Sequence, residues 1–138
     1  MMFGAFDVSA SALTAQRVRL DTISSNIANF DSTDAGLGAD GKPQPYRRLF
    51  TIFQAERSDD GNAGVRVKSI EEDQSPFNEK YEPWNSRFAD ANGYVKYPNV
   101  DLFTESANAL EATRAYEANI TTIETTKSMM GATLRVLS

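Results

Sequence analysis

The C-terminal stretch of the chain, residues 99–138, carries apolar and small side chains at alternating steps of four and three. This spacing is that of a heptad repeat, and it predicts one long helix from about Val100 to Leu137. Asn99, which follows Pro98, is the predicted N-cap of this helix. The predicted seam consists of Leu102, Ser106, Ala109, Thr113, Tyr116, Ile120, Ile123, Lys127, Met130, Leu134 and Leu137.

The N-terminal stretch has a narrower apolar stripe with the same spacing, which predicts a second helix over about Ala5 to Asn29. Asn29 is expected to end this helix in a left-handed backbone conformation. The stripe consists of Phe6, Leu13, Leu20 and Ile27 at intervals of seven, with Ala10, Ile23 and Phe30 near the companion positions.

Between the two helices, the pattern changes to glycine, proline and β-favouring residues. Asp31–Pro45 is rich in glycine and proline and predicts a flexible loop. Tyr46–Ala55 and Gly64–Ile70 are separated by turn-forming residues and predict a β-hairpin. Asn78–Glu82 and Gly93–Tyr97 predict a second extended pair.

Together these elements predict an α+β fold. Long N- and C-terminal helices form a coiled-coil-like pair, and a small β-rich module lies between them, at about residues 46–97. The expected divisions are an N-terminal helix (1–30), a loop with the β-rich insert (31–98) and a C-terminal helix (99–138). The aromatic residues expected to form the core and cover of the module are Phe77, Tyr81, Trp84, Phe88, Tyr94 and Tyr97.

Composition narrows the possible functions. The net charge of −5 argues against a nucleic-acid or anionic-membrane surface. Cysteine and histidine are both absent, which excludes disulfides, thiolate nucleophiles and histidine bases, and argues against zinc. The acidic run Glu71-Glu72-Asp73 is interpreted as a solvated strand edge, so we expect no catalytic, cofactor-binding or metal-binding residues and no enzyme activity.

The lengths of the two predicted helices indicate an assembling protein. The predicted C-terminal helix is longer than the N-terminal one, so one end of its seam has no intramolecular cover. The uncovered end is either the one with Met129, Met130, Leu134 and Leu137 or the opposite end of the helix. Uncovered seams of this kind usually mark a binding partner. The alternative is a self-contained helical adaptor or export chaperone that uses the same helices to hold one partner protein.

Several short motifs follow one another along nearly the whole chain. They are LTAQRVRL (13–20), ISSNIAN (23–29), PYRR (45–48), GVRV (64–67), DQSPF (73–77), GYV (93–95), YPNVD (97–101), RAYEAN (114–119) and KSM (127–129). In this order they resemble the motifs of bacterial flagellar rod and hook proteins, and within that family those of the proximal rod. There are two departures from the family pattern. After Tyr81-Glu82-Pro83 such proteins commonly carry Gly-His-Pro, whereas this chain has Trp84-Asn85-Ser86. The loop Asp31–Pro45 is also long and rich in glycine.

The resemblance implies a structural subunit of the proximal rod. Such a subunit transmits torque and lines the export channel with its terminal helices. It leaves the cell through the flagellar export apparatus without a cleaved signal peptide and assembles in the periplasm. The implied partners are further copies of the chain, other rod proteins, the hook-basal-body adaptor protein and the inner-membrane ring.

Residue roles follow from the seams and the implied assembly. Arg114 and Glu117 are candidates for lateral polar contacts. Asn26 and Asn29 are interpreted as helix-end turn formers in preference to subunit contacts, and Arg47 and Arg48 as solvated strand-edge residues in preference to ring contacts. The residues expected to pack between subunits, many of them also within the chain, are Leu13, Leu20, Ile23, Ile27, Tyr116, Ile120, Ile123, Met130, Leu134 and Leu137.

Overall fold

The computed structural model describes residues 2–57, 59 and 61–138. The predicted α+β class is confirmed, with a long helix at each end and short paired strands between them. The elements are α1 (Met2–Ala28), β1 (Gly36–Leu37), β2 (Pro43–Gln44), β3 (Leu49–Arg57), β4 (Ala63–Glu72), β5 (Asn78–Tyr81), β6 (Tyr94–Tyr97) and α2 (Leu102–Leu137).

Both helices lie close to their predicted bounds, but two of their termini are built differently from the prediction. The backbone N–H of Phe103 donates to Asp101 Oδ1 at 2.9 Å, so Asp101 caps α2 and the prediction of Asn99 as the cap is wrong. Asn29 does not adopt a left-handed conformation, because every positive φ among the described residues belongs to glycine. Instead, Asn29 Nδ2 donates to the Ser25 carbonyl at 2.8 Å, one turn back along α1.

The strands form three two-stranded sheets, β1 with β2, β3 with β4 and β5 with β6. The two predicted extended pairs are therefore confirmed as β3 with β4 and β5 with β6. The stretch predicted to be a flexible loop contains the antiparallel pair of β1 and β2, with Gly36 opposite Gln44. A hydrogen bond of 2.8 Å from Tyr46 N to the Ser32 carbonyl closes this stretch at its base.

The chain divides into two compact units, each built from separate parts of the sequence. The first unit comprises Met1–Asp21, Thr51–Ile70 and Asn108–Ser138, and the second comprises Thr22–Phe50 and Glu71–Ala107. Each unit therefore contains part of α1 and part of α2.

In the first unit, α1 contacts α2 and β4. Arg19 forms an ion pair of 3.4 Å with Glu111 of α2. Ser11 Oγ accepts a hydrogen bond of 3.1 Å from Val65 N, and a Cβ on the neighbouring Gly64 would lie 3.0 Å from the same oxygen. The small side chain of Ser11 and the absence of a side chain at Gly64 thus allow α1 to approach β4 closely.

In the second unit, the end of α1 lies beside the start of α2. Asn26 contacts Glu105, while Phe30 and Leu102 line one shallow cavity. Residue numbers rise along α1 as they fall along α2, so the two helix segments are antiparallel here. The apolar core of this unit is small and includes Ile23, Pro45, Val95, Pro98 and Val100.

The face of α2 that the chain covers differs from the predicted seam in one of its two rows. The row through Ala109, Tyr116, Ile123 and Met130 is half-buried, in agreement with the pattern. The companion row lies one residue earlier than predicted, at Glu105, Ala112, Asn119 and Thr126 in place of Ser106, Thr113, Ile120 and Lys127. In this companion row, the side chains of α2 that are buried or half-buried within the chain are therefore small or polar, and the large apolar side chain of Ile120 is exposed.

The aromatic residues of the module are mostly outside its core. Trp84 is 77% exposed and Tyr81 is 60% exposed, so the expectation of an aromatic core is wrong for both. Tyr81 and Tyr94 are opposite each other in the β5–β6 pair, with ring centroids 5.3 Å apart. Val95, on the other face of β6, fills the interior instead, because neighbouring residues of a strand point to opposite sides.

Candidate functional site

Asn26, near the end of α1, pairs its side chain with the backbone at the start of β3. Its Oδ1 accepts a hydrogen bond of 2.9 Å from Leu49 N, and its Nδ2 donates to the Leu49 carbonyl at 2.8 Å. A carboxamide has the same donor and acceptor types as a peptide group. The Asn26 side chain therefore takes the place of a neighbouring strand beside Leu49, and it is fully buried there. The interpretation of Asn26 as a turn former is wrong.

Asn99, which precedes α2, makes a similar contact with Arg48, the residue directly before β3. Its Oδ1 accepts a hydrogen bond of 2.8 Å from Arg48 N. Its Nδ2 donates to the carbonyls of Asp73 and Ser75 at 3.0 and 3.1 Å. Two asparagines from distant parts of the sequence thus hold the consecutive residues Arg48 and Leu49.

The side chain of Arg48 connects two carboxylates. Its Nε donates to Oε1 of Glu105, which is fully buried, and its Nη1 lies 3.3 Å from Asp73 Oδ2. Burial alone would lower the pKa of Arg48, but its hydrogen bond to Glu105 and the charges of Glu105 and Asp73 raise the pKa overall. Arg48 is thus held firmly in its charged form between Glu105 and Asp73.

Arg47 and Asp73 complete the contacts at the end of β4. Arg47 Nη1 donates to the carbonyls of Asp73 and Ser75, and its guanidinium lies 4.1 Å from the Phe77 ring centroid. Hydrogen bonds from the Ser75 hydroxyl and amide, and then the charge of Arg48, hold the pKa of Asp73 below its usual value. The prediction that Arg47, Arg48 and Asp73 are solvated edge residues is therefore wrong.

Tyr46 adds a further hydrogen bond at the centre of this group. Its hydroxyl donates to Asn26 Oδ1 at 2.9 Å. Burial, and then the negative charge of Glu105, raise the pKa of Tyr46 above 10.0. We call Asn26, Tyr46, Arg48, Asp73, Asn99 and Glu105 the polar joint, since they connect α1, β3, β4 and the start of α2 within the second unit.

The side chains of the polar joint hold one another through hydrogen bonds and ion pairs. The buried carboxylate of Glu105 is engaged by Arg48 and by Asn26 Nδ2, the latter at 3.2 Å. Paired and hydrogen-bonded charges of this kind fix geometry. Among the described residues no cluster of carboxylates has the arrangement of a metal site, and no helix in that part of the chain is long and apolar enough to cross a membrane.

The residues expected to pack between subunits differ widely in exposure within the single chain. Ile23 is buried in the second unit, and Ile27 is 37% exposed. Half-buried positions are Leu13, Leu20, Tyr116, Ile123 and Met130, while Ile120 is at the edge of exposure. Leu134 and Leu137 are 66% and 78% exposed, and Arg114 and Glu117 are exposed as well.

Several large apolar side chains are exposed in the last turns of α2. We call Met129, Leu134, Val136 and Leu137 the terminal apolar surface. Each of these side chains is more than half exposed. Exposed apolar patches on soluble proteins are characteristic of contact sites for other molecules.

Local sequence patterns draw attention to Asn26, Arg48, Asp73 and Asn99 of the polar joint, but they indicate other roles for these residues. Glu105 was not singled out, although it follows Asp101 by four residues and shares a helix face with Ala109 and Ala112. A carboxylate on an otherwise small and apolar helix face is a signal of a buried ion pair. The identity of its partner, 57 residues away, is not visible in any local pattern.

Comparison with known proteins agrees with this architecture. Residues 6–34 match a family described as flagella basal body rod protein, and residues 91–136 match one described as flagellar basal body rod FlgEFG protein C-terminal. A similar protein from Salmonella typhimurium, named flagellar basal-body rod protein FlgC, is 48% identical over 130 residues, covering 94% of this chain and 92% of the relative. Proteins of the same name from Bacillus subtilis and Borreliella burgdorferi are 44% identical over 147 aligned positions (97% of each chain) and 39% identical over 153 (99% and 97%).

Two long terminal helices around a small β module, together with these matches, define a structural protein of the bacterial flagellar basal body. More closely, the chain belongs to the FlgC family of flagellar basal-body rod proteins. The predicted location in the basal-body rod is thereby confirmed.

The polar joint draws on the motifs that carried the family resemblance. Asn26 comes from ISSNIAN, Tyr46 and Arg48 from PYRR, Asp73 from DQSPF and Asn99 from YPNVD. These motifs are far apart in the sequence and meet in the second unit. Their shared structural result is the attachment of the module to the ends of both helices.

Proposed function

We propose that this chain is a proximal-rod subunit that assembles through its two terminal helices, transmits torque and lines the export channel. The terminal apolar surface is the observation that carries the proposal, since Leu134 and Leu137 are exposed in the single chain. Burial of such surface contributes roughly 25 cal/mol per Å². Association with neighbouring subunits would therefore be driven by the end of α2.

The proposal assigns the sequence segments distinct roles. Residues 1–30 and 99–138 form the helical core of the assembly, and residues 31–98 form an outer insert. The apolar residues named above, between Leu13 and Leu137, pack against neighbouring subunits. Arg114 and Glu117 each form polar contacts with a lateral neighbour. The exposure of Arg114 and Glu117 in the single chain is consistent with this role.

The proposed partners are further copies of this chain, other rod proteins, the hook-basal-body adaptor protein and the inner-membrane ring. The subunit reaches them through the flagellar export apparatus without a cleaved signal peptide. Its role is structural and not catalytic. The names of its relatives, which are rod proteins, support this assignment.

Replacing both Leu134 and Leu137 by Asp tests the assembly proposal directly. We expect cells with this variant to lose swimming and completed rods, because two charges in the terminal apolar surface oppose its burial. The purified variant should unfold in urea within about 0.5 kcal/mol of the wild type, since both positions are exposed.

The matched control is Ser128→Asp, which adds a charge at an exposed position of the same helix that lies outside the proposed packing set. Cells carrying the control should swim. Normal swimming of the Leu134→Asp, Leu137→Asp variant would contradict assembly through the end of α2. A stable complex of the chain with one protein in the cytoplasm would favour the adaptor or chaperone alternative.

A further inference from the structure

The two asparagines of the polar joint make contacts that local structure does not require. Asn26 reaches 23 residues along the sequence to Leu49, and Asn99 reaches 51 residues to Arg48. In each side chain, both the oxygen and the nitrogen form hydrogen bonds with backbone groups of the module. The caps and turns at the helix ends are formed by other residues, Asp101 and Asn29.

A carboxamide that binds both a backbone N–H and a carbonyl is strongly directional. Hydrogen bonds weaken steeply away from linear geometry, so two bonds from one planar group restrict rotation as well as distance. Asn26 restrains Leu49 in this way from α1, while Asn99 restrains Arg48 from the residue before α2. The backbone of two consecutive residues is therefore held in a defined orientation.

The buried charges act on the same two residues. The Arg48 side chain contacts Glu105, which is 0% exposed, so the start of β3 is also tied to the first turns of α2. Buried ion pairs contribute little net stability, and in several proteins they specify one arrangement over others. This favours a role in fixing geometry.

We propose that Asn26 and Asn99 are positioning residues that, with the Arg48–Glu105 pair, carry mechanical load between the β module and both helices of the rod subunit. The inference rests on the proposed function in torque transmission. A force on the start of β3 passes to α1 through Asn26 and to α2 through Glu105, and it bypasses the chain between residues 29 and 46.

The first test measures hydrogen exchange of the full-length chain residue by residue. We expect the Leu49 amide to exchange about tenfold faster in Asn26→Ala and the Arg48 amide about tenfold faster in Asn99→Ala, because each loses its acceptor. The matched control is Asn119→Ala, whose Nδ2 donates only within its own helix, to the Ala115 carbonyl at 2.8 Å. The control should leave both amides unchanged.

Two results would overturn the positioning role. One is unchanged exchange at Arg48 and Leu49 in the variants. The other is an equal increase at all amides of α2, which would indicate a general loss of stability.

The second test measures swimming speed with and without a viscous polymer in the medium. Cells with Asn99→Ala should lose a larger fraction of their swimming speed between low and high viscosity than cells with Asn119→Ala. If Asn99→Ala does not accumulate, Asn99→Ser carries the comparison, because it keeps an oxygen acceptor but has one O–H donor in place of the two amide N–H donors.

An equal fractional loss of speed in both media would contradict load transfer through the joint while leaving the rod proposal intact. Failure of the rod proposal is recognised separately, by rods and swimming that persist when the chain is deleted.

Discussion

Asn26 of α1 and Glu105 of α2 share a hydrogen bond of 3.2 Å, and both side chains are fully buried. The helix ends in the second unit are thus connected by two polar groups where an apolar contact is usual. Each group has further partners, so neither is left unsatisfied. Stability here depends on the whole set of bonds, because a buried polar group that loses its partner is costly.

Replacing Asn26 by Asp is expected to destabilise the chain by about 3 kcal/mol at neutral pH. The change exchanges the donor that faces Glu105 for a second carboxylate in a buried place. The measurement is urea unfolding of the purified chain. Asn119→Asp, on the half-buried face of α2, is the control and should cost less than about 1 kcal/mol.

Two ion pairs of α2, Arg48–Glu105 and Arg19–Glu111, should differ strongly in their contribution to the free energy of unfolding. Glu105→Gln removes a fully buried charge from Arg48 and is expected to cost about 3 kcal/mol. Glu111→Gln removes a partner of Arg19 whose side chain is 70% exposed, and should cost less than about 1 kcal/mol. Equal costs in urea unfolding would show that Glu105 is not buried as described.

Stability is expected to fall in acid, and Asp73 should contribute to that fall. Its pKa in the folded chain lies below 3.8, so its contribution is complete above the unfolded value and is lost as pH decreases through the folded value. Urea unfolding between about pH 5 and about pH 2 measures the loss, because this interval encloses the usual pKa range of Asp in folded proteins, about 3.5 ± 1.2. In Ser75→Ala, which removes the hydroxyl bonded to Asp73, the acid dependence should be smaller.

Limited digestion with trypsin should distinguish the end of α2 from the polar joint. We expect early cleavage after Lys127 and Arg135, which are exposed, because helix ends open locally at low cost. Cleavage after Arg48 should be late, because its backbone and side chain are both bonded. Resistance of the whole chain would favour the self-contained adaptor hypothesis over a subunit that awaits its partners.

The fluorescence of Trp84, the single tryptophan of the chain, provides an independent check of the module. Its side chain is 77% exposed, so acrylamide should quench it nearly as readily in the folded as in the unfolded chain. Trp84→Ser should change the free energy of unfolding by less than about 0.5 kcal/mol. Strong protection from quenching would restore the prediction of an aromatic core.

The elements of the fold were predictable, because each has a local periodicity or turn signal. The strand β5 begins at Asn78 and α2 ends at Leu137, as the pattern predicts. The covered helix faces were less predictable, because the pattern follows large apolar residues. Contact at Ala15 and Ala112 depends on small size, which allows close approach and carries no strong hydrophobic signal.

The polar joint shows the second limit of prediction from one sequence. Asn99 next to a proline has the local features of a helix cap, yet it binds Arg48, which is 51 residues away. Arg48 has the local features of a solvated residue, yet it lies between Glu105 and Asp73. Residue type indicates bonding capacity, whereas the partner depends on the tertiary fold.

The small and polar interior also has a consequence for how this sequence can diverge. Most folds accept exchanges among large aliphatic residues, but the buried Ala15, Thr22, Asn26 and Ala112 offer few positions for such exchanges. Replacing the side-chain nitrogen of Asn26 by oxygen should lower the free energy of unfolding more than adding several methyl groups at an exposed position. Neutral drift should therefore concentrate on exposed residues such as Trp84, and the interior should change only by paired substitutions.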